Sequence, residues 1–238
     1  MINIDTVYQK VLALTNKEQK GYITPQEFNL FANLAQMETF EQYFYDLNQF
    51  QRVHGNDTIH SDLDDMLEEK MQFFEVTDTA VNISGYATTN VGNLILRQVP
   101  DNFYRVCRVE LNGADCEVLN TKDFNDVMLS PLTQPTVNRP VVNIRGNLIR
   151  CFTAPGVNAD PTSIIYYRRP SVVRWGYVVV NEKALFNPAQ TTHFELHLSE
   201  EIELIYKILK LAGITLDKQV MTQLGANLEA SKAQQEKL

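Results

Sequence analysis

Apolar residues recur along this chain with two different periods, and the change from one to the other divides it. Within residues 4–15 they stand at Ile4, Val7, Val11, Leu12 and Leu14, a spacing that predicts a short helix. From Phe28 onward they fall at Phe31, Leu34, Ala35, Phe40, Tyr43, Phe44, Leu47 and Phe50, in steps of three and four. That run predicts a helix of about 25 residues or more, with an aromatic stripe that other elements must cover. After the loop RVHGNDTIH, the stretch SDLDDMLEEKMQFFEV predicts a third helix. Ser61 is placed to cap it, acids fill its first turn, and Leu63, Met66, Leu67 and Phe74 face inward.

Near residue 78 the period shortens to two. TAVNISGY, GNLILRQVP, FYRVCRVELNG, CEVLN, RPVVNIRGNLIRCFTAPG, TSIIYYRRP, WGYVVVN and THFELHL are short, β-branched or aromatic, and separated by Asn, Gly, Asp and Pro. They predict an antiparallel β domain over 78–198, with hairpin turns at LNGAD and IRGNL. Residues 121–140 read as an inserted, Pro-punctuated arm with a single helical turn. At Ser199 the helical period returns: SEEIELIYKILKLAG carries a Ser N-cap, early glutamates, late lysines and Gly213 at its end. The polar, Gln-rich remainder reads as an extended tail that a partner orders. The expected fold class is α+β: a helical bundle over 1–77 with its long aromatic-striped helix, the β domain over 78–198, and a C-terminal helix and tail over 199–238 packing on the first region.

Composition narrows the function classes. Of the 238 residues, 44% are hydrophobic and 21% charged, ordinary globular values that argue against wholesale disorder. Apolar runs reach only strand length, too short to cross a bilayer, and the amphipathic N-terminus lacks a leader pattern, so synthesis in the cytosol is expected. Cys107, Cys116 and Cys151 are widely spaced and read as buried thiols. Net charge is −8, yet residues 78–198 hold 11 basic and 10 acidic residues, leaving 10 basic and 19 acidic in the flanks. Nine of the ten arginines lie in that middle segment. Their planar forks suit carboxylates, which hints at an interface.

Four stretches offer chemistry. KGYITPQEFNLF resembles the back half of an EF-hand loop running into its exit helix. With Gly21 as the sixth position, Asn16, Glu18 and Glu27 are the calcium candidates, but Lys20 stands where an oxygen is needed, and calcium wants six to eight of them. A local reading accounts for the same residues. Thr24 caps the helix, Pro25 takes its first position and Glu27 closes a capping box, while Ile23 and Phe28 form a hydrophobic staple, together worth ~1–2 kcal/mol. HFELH does not match the helical zinc signature; on a strand His193 and His197 stand ~13 Å apart, too far for one ion. Asp62, Asp64 and Asp65 on the third helix read as a solvated acidic face. No P-loop, nucleophile elbow or dinucleotide fingerprint occurs, so no catalysis and no cofactor are expected. YYRRP and RWGY form the densest aromatic-basic cluster. Its Arg168, Arg169 and Trp175 suit stacking on nucleic acid, pairing with acids of a neighbouring copy such as Asp62, Asp64 and Asp65, or contacts within the chain.

The order of helices, β domain with arm, capped helix and polar tail resembles the head-to-tail adaptor (connector) ring proteins of short-tailed bacteriophages. VYQKVLALTNKEQKGYITPQEFNLFANLAQMETFEQYFYDLNQF, YYRRP, WGYVVVN and HFELHLSEEIELIYKILKLAGI are similar to segments of structural proteins of tailed phages, crAss-like phages included. The resemblance implies a virion component at the neck: a twelve-fold ring of copies that docks on the portal protein and surrounds the DNA channel. It implies that the C-terminal segment, with Leu216, Val220 and Leu224, climbs along the portal. Acidic flanks suit a conduit along which genomic DNA slides. The alternatives are another neck or tail ring of the same virion, and a degenerate EF-hand-like calcium-binding protein.

Overall fold

The chain alternates between two units in the computed structural model, which describes residues 1–17, 23–52, 58–79, 89–91, 94–111, 113–146, 148–154, 161–181 and 183–215. One unit is Met1–Phe73 with Pro170–Leu238, and the other is Phe74–Arg169. The first opens with α1 (Ile4–Lys17), α2 (Pro25–Arg52) and α3 (Thr58–Met71), and a 3-10 turn, Gln72–Phe74, leads out of it. The second unit holds β1 (Glu75–Thr79), β2 (Thr89–Val91), β3 (Leu94–Gln98), β4 (Phe103–Leu111), β5 (Ala114–Asp115) and β6 (Glu117–Val118). It continues through α4 (Thr121–Leu129), β7 (Val141–Arg145), β8 (Leu148–Phe152) and β9 (Pro161–Arg168). The return to the first unit brings β10 (Tyr177–Val180), β11 (Lys183–Phe186), two 3-10 turns and α5 (Glu201–Thr215). The class is α+β. The expected β domain ran to residue 198, whereas the observed sheet unit ends at Arg169. The strand-like residues beyond it pair with the helical unit instead.

In the helical unit α5 packs on α1 and α2, and α3 packs on α2. Ile4, Val7, Tyr8 and Val11 meet the core from α1, and Leu204, Ile208 and Ala212 from α5. On α2 the buried line runs through Phe28, Ala32, Ala35, Phe40, Tyr43 and Phe44. Leu34, expected inward, is 57% exposed, and Leu14 and Met66 are exposed too. The error at Leu34 is one of phase: a core line through Phe28, Ala32 and Ala35 turns Leu34 to the opposite side. Two charged pairs sit in this core. Lys207 Nζ donates to Thr39 Oγ1 at 3.1 Å and meets Glu203 at 2.8 Å, while Lys70 meets the buried Glu200 at 2.8 Å. A buried charge that loses its partner is strongly destabilising, so the Lys207–Thr39 contact ties α5 to α2 and the Lys70–Glu200 pair ties the turn before α5 to α3.

The start of α2 follows the capping logic of its sequence. Glu27 N donates to Thr24 Oγ1 at 3.3 Å, Thr24 N donates to Glu27 Oε2 at 2.9 Å, and Ile23 and Phe28 are both buried. The other two expected caps move. Because α3 begins at Thr58, Ser61 lies inside it and Asp62, Asp64 and Asp65 fall beyond its first turn. Ahead of α5, the 3-10 turn Leu198–Glu200 shifts the cap back to His197, whose Nδ1 accepts from Ser199 N at 3.2 Å. Ser199 is therefore the capped residue, and its hydroxyl contacts His197 Nδ1 at 2.8 Å.

In the second unit the four-stranded sheet β1-β9-β4-β5 and the five-stranded sheet β2-β3-β8-β7-β6 close on one core. Val109, Leu111, Ile164 and Tyr166 contribute from one sheet, and Val142, Ile149 and Cys151 from the other. Among the described strands all pairs are antiparallel except β6 with β7, which α4 connects. The expected arm at 121–140 thus contains a nine-residue helix packed on β7, capped by Asn120, whose Oδ1 accepts from Asp123 N at 2.9 Å. Gly113 and Gly146 take φ of 80° and 58° at the two expected hairpin turns, where a side chain is strained. Of the three thiols read as buried, only Cys151 is. Cys107 is exposed, and Cys116 is partly covered, its pKa pushed up to about 12 chiefly by burial.

Thr24→Ala should lower stability by ~1 kcal/mol, read as a shift in the urea midpoint. Hydrogen bonds from Thr24 hold the Glu27 carboxyl below its ordinary pKa. Its stabilising contribution is therefore complete above the unfolded value and is lost as pH falls through the lowered folded value. Glu27→Gln should accordingly cost more at pH 7 than at pH 3, compared by urea unfolding at both.

Candidate assembly interface

Three carboxamides on α2 organise the helical unit. Asn29, Asn33 and Gln36 follow one another at helical steps of four and three, beside the core line of Phe28, Ala32 and Ala35. Opposite them runs the extended segment 171–175. Trp175 N donates to Asn29 Oδ1 at 2.7 Å, and Asn29 Nδ2 donates back to Trp175 O at 3.3 Å. Val173 N donates to Asn33 Oδ1 at 2.9 Å, and Asn33 Nδ2 returns to Val173 O at 2.8 Å. Gln36 Nε2 donates to Ser171 O at 2.8 Å, while its Oε1 accepts from Glu195 N at 3.2 Å. The match is geometric. Four helical residues advance ~6 Å and two strand residues ~6.6 Å, so alternate backbone positions fall in step with the amides. A carboxamide offers both acceptor and donor, so the row mimics a strand edge.

This strap ends on Trp175, which is 2% exposed. Its Nε1 donates to Asp5 Oδ1 at 2.9 Å, and its ring lies 4.3 Å from Tyr8, 5.7 Å from Tyr177 and 5.9 Å from Phe186. Gly176 follows in a space too tight for a side chain, since a Cβ there would sit 2.6 Å from the backbone of Gln190. The HFELH residues support the same frame. His193 Nδ1 accepts from Ile4 N, Glu195 takes the Ser171 N–H and hydroxyl, and His197 caps the turn before α5. Phe194 and Leu196 are buried as expected of a strand, but only isolated bridges form there, Ile2 with Phe194 and Arg174 with Thr192.

From this base the β10–β11 hairpin emerges. Tyr177 pairs with Phe186, Val178 with Leu185, Val179 with Ala184 and Val180 with Lys183. Partners share a face, so both faces are apolar. Val178, Val179, Val180, Leu185 and Phe186 are all exposed, Val179 at 63%. Asn181, with φ of 49°, takes the left-handed conformation of the tight turn.

The expected site residues scatter over the two units. Trp175 belongs to the core of the helical unit, so it does not offer an outward ring. Arg168 and Arg169 belong to the β unit, where Arg169 N donates to Asn102 O at 2.7 Å and the Arg169 side chain is exposed. Tyr166 of the same cluster lies in the β core. Two other arginines find acids within the chain, Arg108 at 2.6 Å from Asp115 and Arg139 at 2.8 Å from Glu117. Asp62, Asp64 and Asp65 lie on α3, with Asp65 exposed. Leu216, Val220 and Leu224 lie outside the described residues. Of the calcium candidates, Glu18 lies outside them, Asn16 is still in α1, and Glu27 Oε2 is engaged by Thr24. Among the described residues no cluster of three or more His, Cys, Asp or Glu is placed to hold a metal, and no helix is long and apolar enough to cross a membrane. Asn29, Asn33 and Gln36 match no motif that points to this role. Their signal was a row of carboxamides bordering the apolar line of a helix.

No protein-family model and no curated protein matches the chain.

Asn33→Ala should destabilise the protein by about 3 kcal/mol, since it strips both hydrogen bonds from the buried Val173 backbone. The adjacent Leu34→Ala, on the exposed side, should stay within about 0.5 kcal/mol. Urea unfolding of the two variants gives the comparison.

Proposed function

We propose that the chain is a structural, ring-forming protein of a tailed-bacteriophage virion, acting as the head-to-tail adaptor that docks on the portal and surrounds the DNA channel. The observation that carries this reading is the β10–β11 hairpin, an apolar ribbon exposed on both faces whose base packs on the buried Trp175. Soluble monomers rarely leave such a surface uncovered, and a lone two-stranded ribbon is marginal until something covers it. Three of the four stretches that resemble phage structural proteins also meet in the helical unit: α1–α2, the hairpin, and the turn leading into α5. In the proposed ring the helices form a bundle within the wall, and the segment after α5 reaches along the portal. The exposed Asp65, Glu68 and Glu69 of α3 fit a wall that repels DNA.

Mass spectrometry and cryo-EM of purified particles test the reading. The chain is expected at parity with the portal protein, as a ring directly beneath it. Its absence from DNA-filled particles overturns the reading. A ring placed lower in the tail replaces the adaptor assignment with that of another neck or tail ring.

A further inference from the structure

We infer that the β10–β11 hairpin of one copy docks on the outward stripe of α2 in the next copy; this rests on the ring reading and names its contact. The stripe lies opposite the core line of α2 and carries Leu30 and Leu34, 66% and 57% exposed, then Glu38, Glu41 and the exposed Tyr45. Each patch uncovers on the order of a few hundred Å² of apolar surface, the upper range for a monomer.

Charge favours this helix over a second exposed apolar pair in the unit, Leu198 and Ile202. Arg174 precedes the hairpin and Lys183 stands near its tip; both are exposed and neither meets an acid among the described residues. Glu38 and Glu41 continue the α2 stripe, exposed and likewise outside any described ion pair. Leu198 and Ile202, by contrast, flank Glu201, which Lys10 already holds at 2.6 Å. An apolar ribbon with cations at its ends thus matches an apolar stripe that runs into acids.

Hairpin and stripe are different surfaces of one unit, so the contact is heterologous. Copies then add head to tail and close a ring when the rotation per step permits. Together the two patches bury well under the ~1,600 Å² of a standard interface. One contact alone is therefore weak, and closure, which gives every copy two contacts, supplies the rest.

Cysteine cross-linking in a Cys107→Ser background tests the docking. Val179→Cys protein is mixed with Leu34→Cys protein at high concentration and oxidised. A covalent dimer requiring both variants is expected. Val179→Glu or Leu34→Glu should reduce self-association, followed by sedimentation, at least tenfold while leaving the melting temperature unchanged. Cross-linking of Val179→Cys only with itself, preferential cross-linking to Ile202→Cys, or no cross-link at all overturns the contact. The two ideas fail separately. Particles that hold the chain as a ring, with no Val179–Leu34 cross-link formed, refute the contact and leave the adaptor reading standing; a cross-link formed by a chain absent from particles refutes the adaptor reading alone.

Discussion

The helical unit depends on the pairing between the carboxamides of α2 and the strap 171–175. Without it the backbone of Val173 and Trp175, buried against a helix, has no ladder partner, because a helix surface ordinarily offers no edge to a strand. Asn29, Asn33 and Gln36 create that edge from side chains. The strap then delivers Trp175 to Asp5 and Tyr8, Gly176 to its tight passage, and the hairpin to its fixed root. Gln36 also reaches Glu195, so the chain leading into α5 is tied to the same helix. Each hydrogen bond is worth only ~1 kcal/mol net, yet leaving its buried partner unmatched costs more. The row acts mainly by making other registers expensive.

Polar groups elsewhere in this unit follow the same logic. Lys207, nearly inaccessible to water, is held by Glu203 and Thr39, and Glu200 by Lys70. None of these contacts adds much stability, since desolvation offsets the attraction. They discriminate, because Lys207 reaches Thr39 of α2, and Glu200 in the turn before α5 reaches Lys70 of α3, in only one seating of this stretch. Apolar contacts from Leu204, Ile208 and Ala212 supply most of the drive for α5 to pack, and the charges select the seating.

Legibility in the sequence tracked the range of the interaction. Thr24, Pro25 and Glu27 act within one turn, and the start of α2 was read to the residue. Gly113 and Gly146 marked their hairpins for the same reason. Ser199 failed because a 3-10 turn precedes α5 and places the cap at His197. Leu34 failed because only distant partners decide which of several apolar lines on α2 turns inward. Trp175 looked like an interface residue beside its arginines, but the boundary between units falls among them. The assignment of residues 170–198 to the helical unit could not be read locally, since it rests on amides some 140 positions away. The first strand of the hairpin was legible in WGYVVVN, whereas its partner Lys183–Phe186 and its lack of cover became visible only in three dimensions.

The β unit enters and leaves through neighbouring strands: Glu75 of β1 pairs directly with Tyr167 of β9. That pairing bears on the order of folding. The amide row joins residues separated by 135 to 146 positions, a costly loop to close from an unstructured chain. Once the sandwich has formed, its ends lie one strand spacing apart and the effective loop shrinks to roughly 40 residues, which lowers the closure cost by about 1 kcal/mol. The sandwich thus acts as an entropic clasp, and the same geometry makes it an exchangeable cassette between two fixed halves of the helical unit.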